Sequence, residues 1–350
     1  MTETKRINLA LQGGGAHGAF TWGVLDRLLE EERLLIEGIT ATSAGAMNAA
    51  AVKAGWIRGG HAGARAELDR FWEALTGPAF FQAEATESYL AFFAPTPALY
   101  ARLVEASPSY VAGDALTRLF SPYELNPLNV HPLRPLVSRF FDFDEICATQ
   151  GPKLFISATN VRTGKVRIFQ GGEVSADALL ASACLPTLYQ AVEIPDPKTG
   201  KLEAYWDGGF MGNPALFPLF YETAAQDTVI VHINPIYRDT VPRSAVDIQN
   251  RMNEISFNSS LLRELRAIDF VTRLLEEGAI QSNRMKHVLV HSIMDDAIMT
   301  ELSAATKVSP SKALLDQLKA AGRAQGEAFL RCHWGDLGVK STVDLRAMFA

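Results

Sequence analysis

Residues 39–48 read ITATSAGAMN, and the fold of the chain turns on how that stretch is read. A short apolar β-type run stops at Ser43, and the small residues Ala44 and Gly45 let a helix begin at once. A serine hydroxyl is a weak nucleophile unless it is held in the open beside a base, and a sharp strand-to-helix turn is one way to hold it there. The window Ala41, Thr42, Ser43, Ala44, Gly45 is the GxSxG elbow with alanine at its first glycine, a change the turn tolerates if φ at Ala41 stays negative. Standing alone, such a window is more often a plain packing turn, so Ser43 needs support from elsewhere in the chain.

Upstream, residues 7–11 (INLAL) form a second β-type run that leads straight into Gln12, Gly13, Gly14, Gly15, Ala16, His17 and Gly18. A helix follows, with Phe20, Val24, Leu25, Leu28 and Leu29 recurring at three and four, so one stripe packs on a sheet. The glycine loop has three readings. Gly13, Gly15 and Gly18 fit the dinucleotide GxGxxG, but that reading needs an acid ending the next strand, and the next strand ends in Thr42 and Ser43. The backbone N–H groups of Gly13, Gly14 and Gly15 could instead hold an oxyanion at a helix N-terminus, and the loop could be only a tight turn. The oxyanion reading is preferred, since it alone makes use of the neighbouring Ser43 strand.

Composition bounds the rest. With 350 residues and 48% apolar side chains the chain can bury a large core. A net charge of -6, with Lys and Arg scattered, provides no basic stripe for a nucleic-acid backbone. Cys147, Cys184 and Cys332 are widely spaced and odd in number, against a disulfide framework or a CxxC metal site. The opening residues carry no signal-peptide core, and no run reaches the ~18 apolar residues of a spanning helix. A soluble, cytoplasmic protein is expected.

Further along, residues 44–56 are alanine-rich, suited to a helix lying close on the sheet, and residues 59–66 form a Gly/Ala-rich break. Residues 66–141 read as a proline-interrupted helical insert crowded with aromatics, most of them core. Within it, Phe80, Phe81, Phe92 and Phe93 are the candidates for an apolar acyl channel or lid. Strand patterns return as two hairpins, over residues 153–170 and 193–206, and the second delivers Asp207 into Gly208 and Gly209. For a lone Asp-Gly the turn-forming reading is the commoner one; the preceding strand and the need for a base near Ser43 favour the catalytic one. Residues 227–236 (DTVIVHINPI) read as a buried parallel strand. Residues 246–280 read as a long helix with Ile248, Met252, Ile255, Leu262, Leu265 and Ile268 on one stripe, followed by a strand near 287–293 and an amphipathic helix over 311–331.

A Gly-rich loop after the first strand, a serine ending the next and a DGG after a later one line up in an order that resembles the patatin-like phospholipase family. The family's GGGxRG or GGGxKG loop corresponds to Gly13 through Gly18, its GxSxG serine to Ser43 and its DG[GA] aspartate to Asp207. Residues 181–194 (ASACLPTLYQAVEI) also resemble the segment that precedes that aspartate. The resemblance implies one three-layer α/β sandwich with a mainly parallel central sheet, spanning residues 1–350. A helical insert occupies about 66–141 and a mostly helical C-terminal part, with no visible role of its own, about 243–350. It implies a phospholipase, lysophospholipase or carboxylesterase activity. A Ser43/Asp207 dyad would act on fatty acyl esters, with Gly13, Gly14 and Gly15 as the oxyanion hole. Neither cofactor nor metal is implied, the partners are lipid or acyl-ester substrates with peripheral membrane contact, and nucleic acid is not expected. The chain departs from the family pattern at Ala41 and at His17, which replaces the loop's basic residue and leaves its charge weaker or pH-dependent near neutrality.

Two rivals remain. An ordinary Ser-His-Asp hydrolase would use His232, His287, His291 or His333 as base. A non-catalytic lipid- or nucleotide-binding module would keep the fold without the chemistry.

Overall fold

A computed structural model of the chain describes residues 3–76, 94, 96–197, 199–281, 284–309 and 311–349. Strands β1 (Lys5–Leu11), β2 (Leu34–Ala41), β3 (Lys153–Asn160), β4 (Val166–Gln170), β5 (Val192–Pro195), β6 (Leu202–Asp207), β7 (Asp227–Val231) and β8 (Leu289–Ile293) build one sheet. The order is β5-β6-β3-β2-β1-β7-β8, with β4 paired to β3. The pairs β3–β2, β2–β1, β1–β7 and β7–β8 are parallel. Those of β3 with β4, β3 with β6 and β5 with β6 are antiparallel, so the two hairpins expected from sequence form one edge of a mostly parallel sheet.

Strand alternation divides the core into two layers. Ile7, Leu9 and Leu11 of β1 and Val229 and Val231 of β7 pack on one side with Phe20, Val24, Leu25 and Leu28 of helix α1 (Gly18–Leu28), Ala46 and Ala50 of helix α2 (Ala44–Leu75), and Leu314 and Leu318 of the C-terminal helix Lys312–His333. Ala10, Ile230 and Val290 face the other side, against Leu216, Leu261, Leu265 and Ile268. The result is helix, sheet, helix, with β1 buried on both faces.

Close packing explains several small residues. A Cβ on Gly23 of α1 would overlap the carbonyl oxygen of Lys319, and one on Gly322 would overlap that of Phe20, so α1 and the C-terminal helix touch backbone to backbone. The break expected at residues 59–66 is confined to a kink: Gly59 and Gly60 leave the helical conformation, Gly60 with φ 58°, and α2 then continues to Leu75.

Two readings of burial change. Phe71, Trp72 and Tyr100 are core as expected, whereas Phe120 and Tyr123 are exposed. On the long helix Ala245–Glu276, Ile248, Met252 and Ile255 are 44%, 59% and 55% exposed, which overturns the first half of the expected apolar stripe. Glu254 and Asn258 are buried there instead, because they hydrogen-bond to the loop after β7 and to Gln12. Phe80, Phe81, Phe92 and Phe93 lie outside the described residues.

Candidate active site

Every candidate group stands at the end of a strand. β2 leaves the sheet at Ala41, and α2 starts at Ala44, which leaves Thr42 and Ser43 to make the turn. Thr42 donates its N–H to Leu11 O at 3.2 Å and its hydroxyl to Gly212 O at 2.6 Å, and Ser43 donates its N–H to Ser182 Oγ at 2.8 Å. With all these bonds in place Ser43 is held at φ 53°, ψ -121°, a region that costs a non-glycine residue about 1–3 kcal/mol. A backbone so constrained is what a nucleophile elbow requires. Ala41 keeps a negative φ, so the missing first glycine is no obstacle. Gly45 is irreplaceable, since a Cβ there would overlap Leu11 O.

Asp207 ends β6 beside β3. Its N–H donates to Cys184 O at 2.7 Å, and its carbonyl accepts from Thr159 Oγ1 at 2.8 Å. The carboxyl is sealed from solvent, 1% exposed. Oδ1 accepts the Gly209 N–H at 2.7 Å, and Oδ2 has no partner in hydrogen-bonding geometry among the described residues. Burial pushes the carboxyl pKa up to about 7, against the opposing pull of the Gly209 N–H, the nearby Ser43 hydroxyl and the Lys307 ammonium. The Ser43 hydroxyl is thus among the groups that favour the ionised form of Asp207. A carboxyl tuned to neutrality is matched to general-base work.

The glycine loop presses directly on Ser43: a Cβ on Gly13 would lie 2.7 Å from Ser43 Cβ. Its shape is fixed by a buried set of amides. Gly13 donates its N–H to Asn213 Oδ1 at 2.7 Å, and Asn234 Nδ2 donates to Gly13 O at 3.0 Å. Gln12 accepts from the N–H groups of Ile233 and Asn234 and donates to Asn258 Oδ1. Of the three glycines expected to face an oxyanion, Gly13 has thus committed its N–H to Asn213. Those of Gly14 and Gly15 take no partner among the described residues. Gly15 has φ 57°, and a Cβ there would overlap Lys307 O, so the loop can be built only from glycine.

The histidines do not converge on this centre. His291 joins Asp227 at 2.9 Å and Thr342 at 3.2 Å, His232 joins Ser292 at 3.1 Å, and His333 joins Asp336 at 2.9 Å. None of these three, nor the exposed His287, has a hydrogen bond to Ser43 or Asp207 among the described residues. His17 is buried on Thr306 Oγ1 at 2.8 Å, and burial together with Lys307 holds its pKa well below the usual imidazole range. The expected weak charge of the loop is therefore absent at neutral pH. The dinucleotide reading finds no acid either in Glu37 of β2, whose two oxygens are taken by the N–H groups of Ala224 and Ala225.

A model of the family described as Patatin-like phospholipase matches residues 9–220, which include the glycine loop, the elbow and the Asp207 turn. The chain belongs to the patatin-like phospholipase family. Among solved structures, VipD from Legionella pneumophila is similar at 15% identity and a TM-score of 0.43, over 94% of this chain and 67% of that one. No curated protein matches. Beyond the patatin-like motifs, sequence reasoning missed Ser182, Asn213, Asn234 and Lys307. Asn213 had a signal, since it lies in the DGGFMGNP stretch that begins at Asp207, and Ser182 lies in the stretch 181–194 and Asn234 in the run 227–236, but the bonds these residues make, and the place of Lys307, come only with the tertiary fold.

Proposed function

We propose that the protein is a lipid acyl hydrolase that cleaves fatty acyl esters with Ser43 as nucleophile and Asp207 as the only general base. The observation that carries this reading is the pairing of a serine at φ 53° with a sealed carboxyl whose Oδ2 has no partner among the described residues. Ser43 Oγ attacks the ester carbonyl, its proton passes to Asp207 Oδ2, and the carbonyl electrons move onto oxygen. The N–H groups of Gly14 and Gly15 stabilise that oxyanion, held ready by the amide set around Gln12 and Asn213. Collapse breaks the bond to the leaving alkoxide, which takes the proton back from Asp207 as the alcohol departs. Water then attacks the acyl-enzyme, gives its proton to Asp207, and the fatty acid leaves with Ser43 restored.

Phe80, Phe81, Phe92 and Phe93 are assigned to the acyl-binding surface, on their aromatic clustering in sequence alone. Among the described residues no helix is long and apolar enough to cross a membrane. Peripheral contact with a lipid surface is therefore the proposed route to substrate. Cytoplasmic residence remains the proposed setting, and the insert and C-terminal part are proposed as portions of one domain.

Turnover of a soluble chromogenic ester tests the chemistry. Ser43→Ala and Asp207→Asn should each lower kcat at least about a thousandfold, as loss of members of a catalytic unit does. Retention of turnover by Asp207→Asn together with its loss on replacing a histidine would return the Ser-His-Asp reading.

A further inference from the structure

The glycine loop has lost its basic residue, and His17, which stands in its place, is neutral at neutral pH. A cation nevertheless reaches the loop from a distant part of the chain. Lys307 lies on the short helix Ala304–Val308, with its carbonyl oxygen against the face of Gly15. Its Nζ donates to Asn234 Oδ1 at 2.7 Å, and Asn234 in turn holds Gly13 O at 3.0 Å. The same ammonium stands 5.9 Å from the centre of the Phe257 ring, and that ring packs so tightly on Gly209 that a Cβ there would overlap it. Gly209 is the residue whose N–H holds Asp207 Oδ1. Lys307 is thus buttressed on one side by the support of the oxyanion loop and on the other by the support of the base.

Among the described residues the charge of Lys307 is not consumed elsewhere. An ammonium has three donors, and Asn234, a neutral amide, takes one of them. Glu254 faces it from the long helix, but that carboxylate is already held by Arg238 at 2.9 Å and Arg251 at 3.0 Å. The other charged or titratable groups around it are Arg238 itself, His17 and Asp207. Among these, Asp207 is the acid left without a cationic partner of its own.

We infer that Lys307 is the positioning cation of the site, taking over the place left by the loop's missing basic residue. Its ammonium favours the single negative charge that moves between Asp207 and the substrate oxygen. The inference rests on the Ser43/Asp207 reading. At rest the charge is on the carboxylate, and after proton transfer from Ser43 it is on the tetrahedral oxyanion; Lys307, bound to Asn234 behind the loop, raises kcat through the part of its pull that grows as the charge arrives at the loop. A cation held on a neutral amide and a ring face does so without being neutralised by a salt-bridge partner.

The pH dependence of kcat/KM on a soluble ester, measured for the wild type, Lys307→Arg and Lys307→Met, tests it. Burial lowers the ammonium pKa to about 8, while that of Asp207 is about 7, so wild-type activity rises through the lower value and falls through the upper. Arginine does not titrate in that range, so Lys307→Arg should keep the acid side of the profile and lose the alkaline decline. Lys307→Met should lower kcat by about tenfold to a hundredfold, by comparison with loss of one oxyanion donor, and move the acid side to higher pH. An alkaline decline unchanged in Lys307→Arg, or an acid side unchanged in Lys307→Met with only a lower Tm, overturns the inference. The arginine arm decides by itself should the methionine variant not fold. A wild type whose Ser43 is not labelled by a fluorophosphonate refutes the dyad, and the inference falls with it; wild-type labelling with unchanged Lys307 profiles refutes the role of Lys307 alone.

Discussion

Burying the Asp207 carboxyl carries a cost in stability. Its carboxyl is raised to about 7 by burial, whereas an unfolded aspartate titrates near 3.8. Below the unfolded value the carboxyl is protonated in both states, and it imposes no penalty. As pH rises through the window between the two values the unfolded chain releases its proton first, so native stability falls and levels off above about 7. Asp207→Asn keeps the Gly209 bond without a buried charge. It should therefore be more stable than wild type above pH 7, by a few kcal/mol, since each pH unit of that window is worth about 1.4 kcal/mol, and nearly equal to it at acid pH. Denaturant melts of both proteins across that window check this, and a gap that does not depend on pH would show that burial is not what sets the Asp207 pKa. The turn at Ser43 and the strand end at Asp207 were legible because a strand, a sharp small-residue turn and a DGG are local patterns. Lys307 was not, because its proximity to Gly15 exists only once the sheet has formed.

The glycine loop between β1 and α1 is the element whose behaviour departs most from the expectation. Three equivalent N–H donors were expected, and Asn213 has taken one of them, which fixes the loop's position through the residue next to Ser43. Asn213→Ala should free Gly13, let the loop shift, and lower kcat by about tenfold or more with little change in KM, since misplacement of a preorganised donor is felt in the transition state. Steady-state kinetics on a short-chain ester separates the two parameters; a rise in KM alone would place Asn213 in substrate binding. The long helix Ala245–Glu276 makes the same point about legibility. Its periodicity correctly gave a helix with Leu265 and Ile268 inward, yet Ile248, Met252 and Ile255 face out, because Glu254 and Asn258 are drawn inward to complete the amide and ion-pair set behind the loop. Apolar periodicity cannot register a buried polar network, whose stabilisation comes from partners far away in sequence.

For the molecule as a whole, the mostly parallel sheet with helices on its two faces was implied by the resemblance to the patatin-like family, and the sheet has that form. Less visible was how the C-terminal part, which had no role of its own in the sequence, closes the core. The helix Lys312–His333 lies on α1 with Gly322 against Phe20 O and Gly23 against Lys319 O. Lys307, a few residues before it, reaches the active site from the same segment. Gly322→Ala forces a methyl group into a backbone carbonyl and should destabilise the protein by about 1–3 kcal/mol, as overpacking does, while leaving the pH dependence of turnover unchanged. Thermal unfolding checks the first part; an unchanged Tm would mean that the two helices separate without affecting the rest. Ser43 is proposed as a nucleophile activated by Asp207, the two standing at the ends of β2 and β6 in the interior of this sheet. The most direct test of this proposal is intact-protein mass spectrometry after a fluorophosphonate, with rates followed for the wild type, Ser43→Ala and Asp207→Asn. The account predicts one adduct on Ser43, none in Ser43→Ala and markedly slower labelling in Asp207→Asn. No adduct on the wild-type protein, or labelling indifferent to Asp207, would contradict it.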